Sequence, residues 1–365
     1  TAFFSSQTFD YPPILIIPIL LPGWIASLFG SIDLANYQFA FRVEMLLADL
    51  LVMATLPILL HGWGMNKKQA LTRAALYIPL PLTMFLLVYD RLDLLVTAVM
   101  MSALTLVVIN RKVAGAFLLG LAAAMKLFPI LLAAPLLVWC YRSDRSRFVT
   151  VFLAGIAGLL VGFLPFWIVY GAKAFGFTDY QFSRGLQIES LPAALGYLLF
   201  LLGGSIKLYE EARAVSISFT GSQLVQTLSS LIGLSIIGWL SFSVWINSVE
   251  SDVSRLDARL PVLAGVASLV ASVACANVFS PQYLIWLLPL LLIVPLFTKT
   301  YRFLILLAAL IPALGLYYPY FYVDIIYLKP LQPLGLAMML TRNLAVAVLS
   351  GLLVFWVYRF DSREK

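Results

Sequence analysis

VAGAFLLGLAAAMKLFPILLAAPLLVWC, from Val113 to Cys140, is one of the most apolar stretches of the chain, and a single charge, Lys126, stands at its middle. A charged group at the centre of a hydrocarbon layer costs at least ~2.5–3.5 kcal/mol, so such a lysine is a functional-site candidate by default. Pro129 follows closely and has no N–H for the helix ladder, so the helix is expected to break beside the charge. A cation at a helix break is a natural place to hold an anion. Snorkelling of the ammonium to a membrane edge is the plainer alternative. Against it, Lys126 lies far from the nearest basic pair, Arg111/Lys112, and next to a proline.

Working outward, the 365 residues are 62% hydrophobic and only 11% charged, against about 25% charged in soluble domains. Apolar segments recur at 12–29, 40–61, 70–88, 92–109, 113–125, 127–140, 148–170, 191–203, 222–247, 260–275, 283–297, 302–317 and 335–357. Many are long enough to cross ~30 Å of hydrocarbon, and they are continuous rather than alternating, which excludes a barrel. The expected fold is an all-α polytopic bundle. Basic clusters at Lys67/Lys68/Arg73, Arg111/Lys112, Arg142/Arg145/Arg147, Arg255/Arg259, Lys299/Arg302 and Arg359/Arg363/Lys365 all fit the cytoplasmic side in one topology. Segment 113–140 then starts and ends in the cytoplasm, as two short helices meeting near Lys126. Segment 191–203, with the polar stretch 204–221, reads as interfacial or re-entrant. The proline-rich segment 12–29 does not cross cleanly. About ten crossings remain.

The net charge of +7 follows from the same loop bias, and no basic face with interleaved aromatics supports nucleic-acid binding. Two cysteines, Cys140 and Cys275, and one histidine, His61, offer neither a disulfide framework nor a metal site. No P-loop, dinucleotide fingerprint, zinc-peptidase motif or nucleophile elbow occurs, so no cofactor is expected. The chain opens on TAFFSSQTFD, without methionine or a leading hydrophobic segment, so more sequence is expected upstream.

With the basic clusters inside, the polar residues collect outside. Tyr89-Asp90-Arg91-Leu92-Asp93 reads either as an interfacial salt-bridged turn or as an arginine fork for phosphate. The loop 179–190 concentrates Arg184, Gln187 and Glu189 ahead of Leu191-Pro192, with Arg184 suited to a phosphate and the other two to sugar hydroxyls. Ser280, Gln282 and Tyr283 open a helix, where serine before proline is a common cap, and Gln282 and Tyr283 are expected to point into the bundle. The run 317–322 reads as an aromatic belt. Arg42 and Asp49 share a helix face and are expected to pair.

Four motifs occur in order: Phe9-Asp10-Tyr11-Pro12-Pro13; Gly120-x5-Lys126-x2-Pro129; Arg184-Gly185-Leu186-Gln187-Ile188-Glu189-Ser190; and Ser280-Pro281-Gln282-Tyr283-Leu284-x-Trp286-x2-Pro289. Together they resemble the GT-C superfamily of integral-membrane glycosyltransferases, most nearly glycosyltransferase family 87, the polyprenol-phosphate-mannose-dependent α-mannosyltransferases. The resemblance spans nearly the whole chain. It implies a GT-C-like bundle with interfacial helices on its outer side, and one integral-membrane domain over 1–365 that lacks its N-terminal helix and part of the first outer loop. It also implies inverting, metal-free transfer of a hexose from a polyprenyl-phosphate donor to a lipid or glycan acceptor, outside a prokaryotic plasma membrane. Lys126, Arg184 and Arg91 are then the donor-phosphate cations; Asp93, Gln187, Glu189, Ser280, Gln282 and Tyr283 face sugar or acceptor. A general base is implied in the missing upstream region, with Asp10 the nearest carboxylate on this chain. The rival readings are a transporter or flippase of an anionic lipid or sugar phosphate, and a lipid-binding assembly subunit without activity. The absence of internal repeats weighs against the transporter.

Overall fold

The computed structural model describes residues 11–28, 30, 33–211, 214–250, 258–294 and 333–359. Asp10, Arg255, Lys299, Arg302, Arg363, Lys365, segment 302–317 and the aromatic run 317–322 lie outside the described residues. The chain is mostly helical. Among the described residues four helices are long and apolar enough to cross a membrane, Leu34–Gly62, Arg145–Thr178, Ser222–Asn247 and Gly335–Tyr358, alongside shorter apolar helices of 10–17 residues. The chain gathers into two compact units. The first holds the described residues of Thr1–Ala133, Asp144–Phe182 and Leu288–Ile293, and the second those of Ala134–Ser143, Ser183–Leu287 and Val294–Lys365.

The helices from the N-terminus are α1 (Ile16–Leu28), α2 (Leu34–Gly62), α3 (Lys67–Ala75), α4 (Pro79–Thr83), α5 (Phe85–Val88), α6 (Asp93–Val108), α7 (Lys112–Met125), α8 (Ile130–Ser143), α9 (Arg145–Tyr170) and α10 (Gly176–Ser183). The sequence marks several of their starts. Asp33 and Asn66 accept the Asn36 and Gln69 amides at 2.7 and 2.9 Å, capping α2 and α3. Asp144 caps α9 through the Arg147 amide at 3.3 Å. Its hydrogen bond from the Ser146 hydroxyl, helped by the Arg147 amide and the charges of Lys112 and Arg147, holds its carboxyl below the ordinary value. The single segment expected over 70–88 is instead α3, α4 and α5, because Pro79 and Pro81 interrupt the ladder.

Small residues set the packing of this unit. Ala116, Gly120 and Ala124 on α7 face Gly155, Gly158 and Gly162 on α9, so the backbones touch. The contacts advance together along both chains, from Ala116 against Gly155 to Ala124 against Gly162, so α7 and α9 run parallel. Helix α6 runs antiparallel to α7, with Ala103 and Val107 against Gly115, and α2 ends beside Val108 and Ile109 at Gly62. One end of the unit therefore carries Lys67, Lys68, Arg111, Lys112, Arg145 and Arg147, and the other carries Asp90, Asp93 and Lys126. Leu153, Val161, Trp167, Ile168 and Val169 of α9 are 52–74% exposed, an apolar surface suited to lipid rather than water.

A Cβ on Gly120 would overlap the Gly155 carbonyl, and backbone cannot turn aside as a side chain does. Gly120→Val is therefore expected to destabilise the protein by about 1–3 kcal/mol or more. Gly238→Ala, with nothing within 4 Å of the new methyl, is expected to be neutral or slightly stabilising. Thermal unfolding in detergent tests the contrast; an unchanged melting temperature for Gly120→Val would show that the helices pack otherwise.

The second unit contains α11 (Ala194–Leu201), β1 (Ile206–Glu211), β2 (Ala214–Phe219), α12 (Ser222–Glu250), α13 (Arg259–Cys275), α14 (Tyr283–Ile293, whose residues from Leu288 on group with the first unit) and α15 (Pro333–Tyr358). The all-α expectation needs one correction here. The stretch 204–221 contains an antiparallel hairpin, Ile206 opposite Phe219 and Glu211 opposite Ala214. Segment 186–188 extends it, through Ile188 N–H to the Val215 carbonyl at 2.9 Å and Ile217 N–H to the Leu186 carbonyl at 2.8 Å. Leu186, Ile188, Ala193, Tyr197, Ile217 and Met339 form the core beneath. Alternation in Val215-Ser216-Ile217-Ser218-Phe219 suits a strand: Ile217 enters that core with Val215 and Phe219 packed against it, and Ser216 on the opposite face is buried as well. Helix α11, at 8 residues, rises only about 12 Å and is too short to cross a bilayer.

Candidate functional site

The break expected beside Lys126 is present. Helix α7 ends at Met125, Lys126 is extended (φ −158°, ψ 136°), and α8 starts at Ile130. With 14 residues α7 rises about 21 Å, short of the ~30 Å of a full crossing. Parallel α9, with 26 residues, runs about 39 Å and continues past the break. Lys126 thus lies below the level that α9 reaches.

The turn Tyr89–Asp93 is built around this break, and its side chains diverge. Tyr89 donates its hydroxyl to Asp49 Oδ2 at 2.7 Å, and Tyr77 donates to Asp49 Oδ1 at 2.8 Å. Asp90 receives Arg42 in a fork, Nε to Oδ1 at 2.7 Å and Nη2 to Oδ2 at 3.0 Å. Asp93 Oδ1 accepts Lys126 Nζ at 2.6 Å, with the carboxylate side chain 1% and the lysine side chain 18% exposed. The Tyr11 ring lies 5.9 Å from the same ammonium. Two contacts to α2 and one to Lys126 fix the turn, and Arg91 is left on its exposed side.

This arrangement corrects two expectations. Arg42 does not pair with Asp49; it pairs with Asp90, and Asp49 is held by two tyrosines. Asp93, expected against sugar, is the counter-ion of Lys126. The chemical result is a lysine side chain paired with a buried carboxylate and partly open to a ligand. Such a group stabilises negative charge that develops beside it, more so where water is scarce.

In the second unit the structure brings other expected residues together around one that sequence reasoning passed over, Arg342. Its guanidinium reaches Glu189 Oε1 from Nη1 at 3.4 Å, the Glu189 carbonyl from Nη2 at 2.6 Å, and Asn343 Oδ1 from Nε and Nη2 at 3.2 and 3.1 Å. Gln187 Nε2 donates to Glu189 Oε2 at 2.8 Å. The Phe279 ring faces the guanidinium at 4.2 Å, and Tyr283 stacks between Phe279 and Trp286 at 6.2 and 4.3 Å. Asn277 accepts the Gln187 amide at 2.9 Å, joining the two loops.

Gln187, Glu189, Arg342 and Asn343 are each at most 3% exposed. Gln187 and Glu189 are therefore interior groups that fasten a loop, not groups facing a sugar. Arg184, half-buried, begins that loop. At Gly185 a Cβ would overlap the Tyr209 hydroxyl, and the Gly185 amide donates to Glu211 Oε2 at 2.8 Å. Burial first, and then the Glu211 charge, push the Tyr209 phenol above its ordinary value. Ser280 does not cap α14: the cap position is Gln282, and no side chain closes it. Gln282 and Tyr283 are half-buried.

Among the described residues no cluster of His, Cys, Asp and Glu is fit to hold a metal ion. No protein-family model, curated protein or solved structure matches the chain.

Proposed function

We propose that the chain is an integral-membrane glycosyltransferase of GT-C type, with about ten crossings. In this reading it moves a hexose, with mannose the first candidate, from a polyprenyl-phosphate donor to a lipid or glycan acceptor outside a prokaryotic plasma membrane. The observation that carries the reading is the Asp93–Lys126 pair, its carboxylate buried and its lysine partly open, at a helix break at the end of the first unit away from the basic residues. The order of the four sequence motifs supports it.

The acceptor hydroxyl oxygen attacks the anomeric carbon, and the bond from that carbon to the phosphate oxygen breaks with its electron pair going to phosphate. The acceptor proton passes to a carboxylate, with Asp10 the candidate on this chain. Lys126 stabilises the negative charge gathering on the departing phosphate, with Arg91 of the neighbouring turn as a second cation. Asp93 is a positioning residue that holds Lys126 at the break through Oδ1. In the second unit Glu189, expected against sugar, instead pairs with Arg342, and the two fasten the loop that begins at Arg184.

The test is incubation of the full-length protein in proteoliposomes with radiolabelled polyprenyl-phosphate-mannose and a lipid acceptor, repeated with glucose and galactose donors. Label in the acceptor is expected. Movement of donor lipid between leaflets without transfer from any donor would replace this reading with the flippase.

A further inference from the structure

At the other end of α7 lies a groove of about 810 Å³ alongside the packed α7 and α9, bounded also by Leu106 of α6, within the ~300–1,000 Å³ usual for small-ligand sites. Its walls are apolar, formed by Leu106, Phe117, Ala154 and Ala157. Its mouth is cationic, with Arg111, Lys112 and Arg147.

The backbone builds that mouth. Helix α6 ends in a Schellman motif: Asn110 takes φ +64°, its amide bonds the Val107 carbonyl at 3.1 Å, and the Arg111 amide bonds the Leu106 carbonyl at 2.7 Å. This turn sets Arg111 and Lys112 at the rim. The N-terminus of α7 starts there with no side-chain cap, so its first amides add positive potential. Parallel packing brings the start of α9, with Arg147, to the same rim. Asp144 offsets part of Arg147, at 3.5 Å, but one carboxylate against three cations leaves the mouth positive.

We infer that this groove binds an anionic phospholipid of the basic-side leaflet, its phosphate among Arg111, Lys112 and Arg147 and an acyl chain along the slot lined by Leu106, Phe117, Ala154 and Ala157. A cationic mouth over an apolar slot matches both halves of such a lipid, and neither half of the site fits a free anion or a neutral lipid as well. The site is separate from the proposed reaction, which lies at Lys126, about 21 Å away along α7.

Native mass spectrometry of the delipidated full-length protein tests this, with equal additions of phosphatidylglycerol, phosphatidylcholine or inorganic phosphate. Phosphatidylglycerol is expected to be retained about ten-fold over phosphatidylcholine, and inorganic phosphate not at all. The preference is expected to vanish in Arg111→Gln/Arg147→Gln, and retention to fall several-fold in Ala157→Phe, which fills the slot and leaves every charge in place. Equal retention of the two lipids overturns the inference, as does retention of inorganic phosphate. Loss in the charge variant alone means headgroup adsorption without the groove, and loss in Ala157→Phe alone means an unselective slot; either also overturns it.

Discussion

Lys126→Met is expected to abolish hexose transfer and to cost about 3–5 kcal/mol of stability, because it removes the cation paired with the buried Asp93 carboxylate. The carboxylate side chain is 1% exposed and has no access to water that would replace the ammonium. Asp93→Asn is expected to be milder in both respects: its amide oxygen still accepts from the lysine, and the ammonium, 18% exposed, keeps some hydration. The double variant separates the two roles of Lys126. With no charge left at the break, stability is expected to recover most of the loss, while transfer stays down by at least ~10²–10³, the usual effect of removing one group that stabilises developing negative charge. Thermal unfolding and label transfer, measured on the same four preparations, give the answer. If the double variant transferred sugar at the wild-type rate, Lys126 would be a structural charge only, and the proposed mechanism would lose its cation.

Lys126 was legible because a single charge in an apolar run stands out against a high insertion cost. The helix bounds around it were legible for the same reason: Lys112–Met125 and Ile130–Ser143 lie close to the segments that hydropathy and Pro129 define. The same test applied to the last apolar segment would have found Arg342, flanked by Leu340-Thr341 and Asn343-Leu344. It was passed over because that segment was read only for its length. Partners were harder. Helical spacing pairs Arg42 with Asp49, but the structure brings in Asp90 and two tyrosines from distant sequence, and no local period encodes such contacts. The hairpin at Ile206–Phe219 was lost to a different cause. In a chain so rich in apolar helix, the short period-two pattern falls in a polar stretch that reads as interfacial or re-entrant, although Val215, Ile217 and Phe219 alternate with serines.

Arg342→Met is expected to be the most damaging single change in the second unit, by about 3–5 kcal/mol, and Glu189→Gln to be clearly milder. The asymmetry follows from the bonding. Arg342 engages the Glu189 carboxylate, the Glu189 carbonyl, the Asn343 amide and the Phe279 face, so losing the carboxylate charge removes one contact among several. Losing the guanidinium instead removes the cation from a buried carboxylate that also accepts the Gln187 side-chain amide at 2.8 Å, and leaves the Glu189 carbonyl with Asn343 Nδ2 at 3.0 Å. Arg342→Lys is expected to fall near Arg342→Met, since a compact ammonium cannot reproduce a fork that reaches several acceptors at once. In the pair Arg342→Met/Glu189→Gln, the neutral side chain no longer needs a cation, so part of the loss is expected to return; the interaction term from the cycle measures the charge pair alone. Hydrogen exchange over 184–190 gives a local reading, because the Gln187 and Ile188 amides are held by the Asn277 and Val215 carbonyls. Protection there is expected to drop in Arg342→Met while α7 and α9 in the first unit keep theirs. Should Glu189→Gln prove as costly as Arg342→Met, the carboxylate rather than the arginine would be the centre of the cluster, and its charge would have to serve something other than fastening the loop.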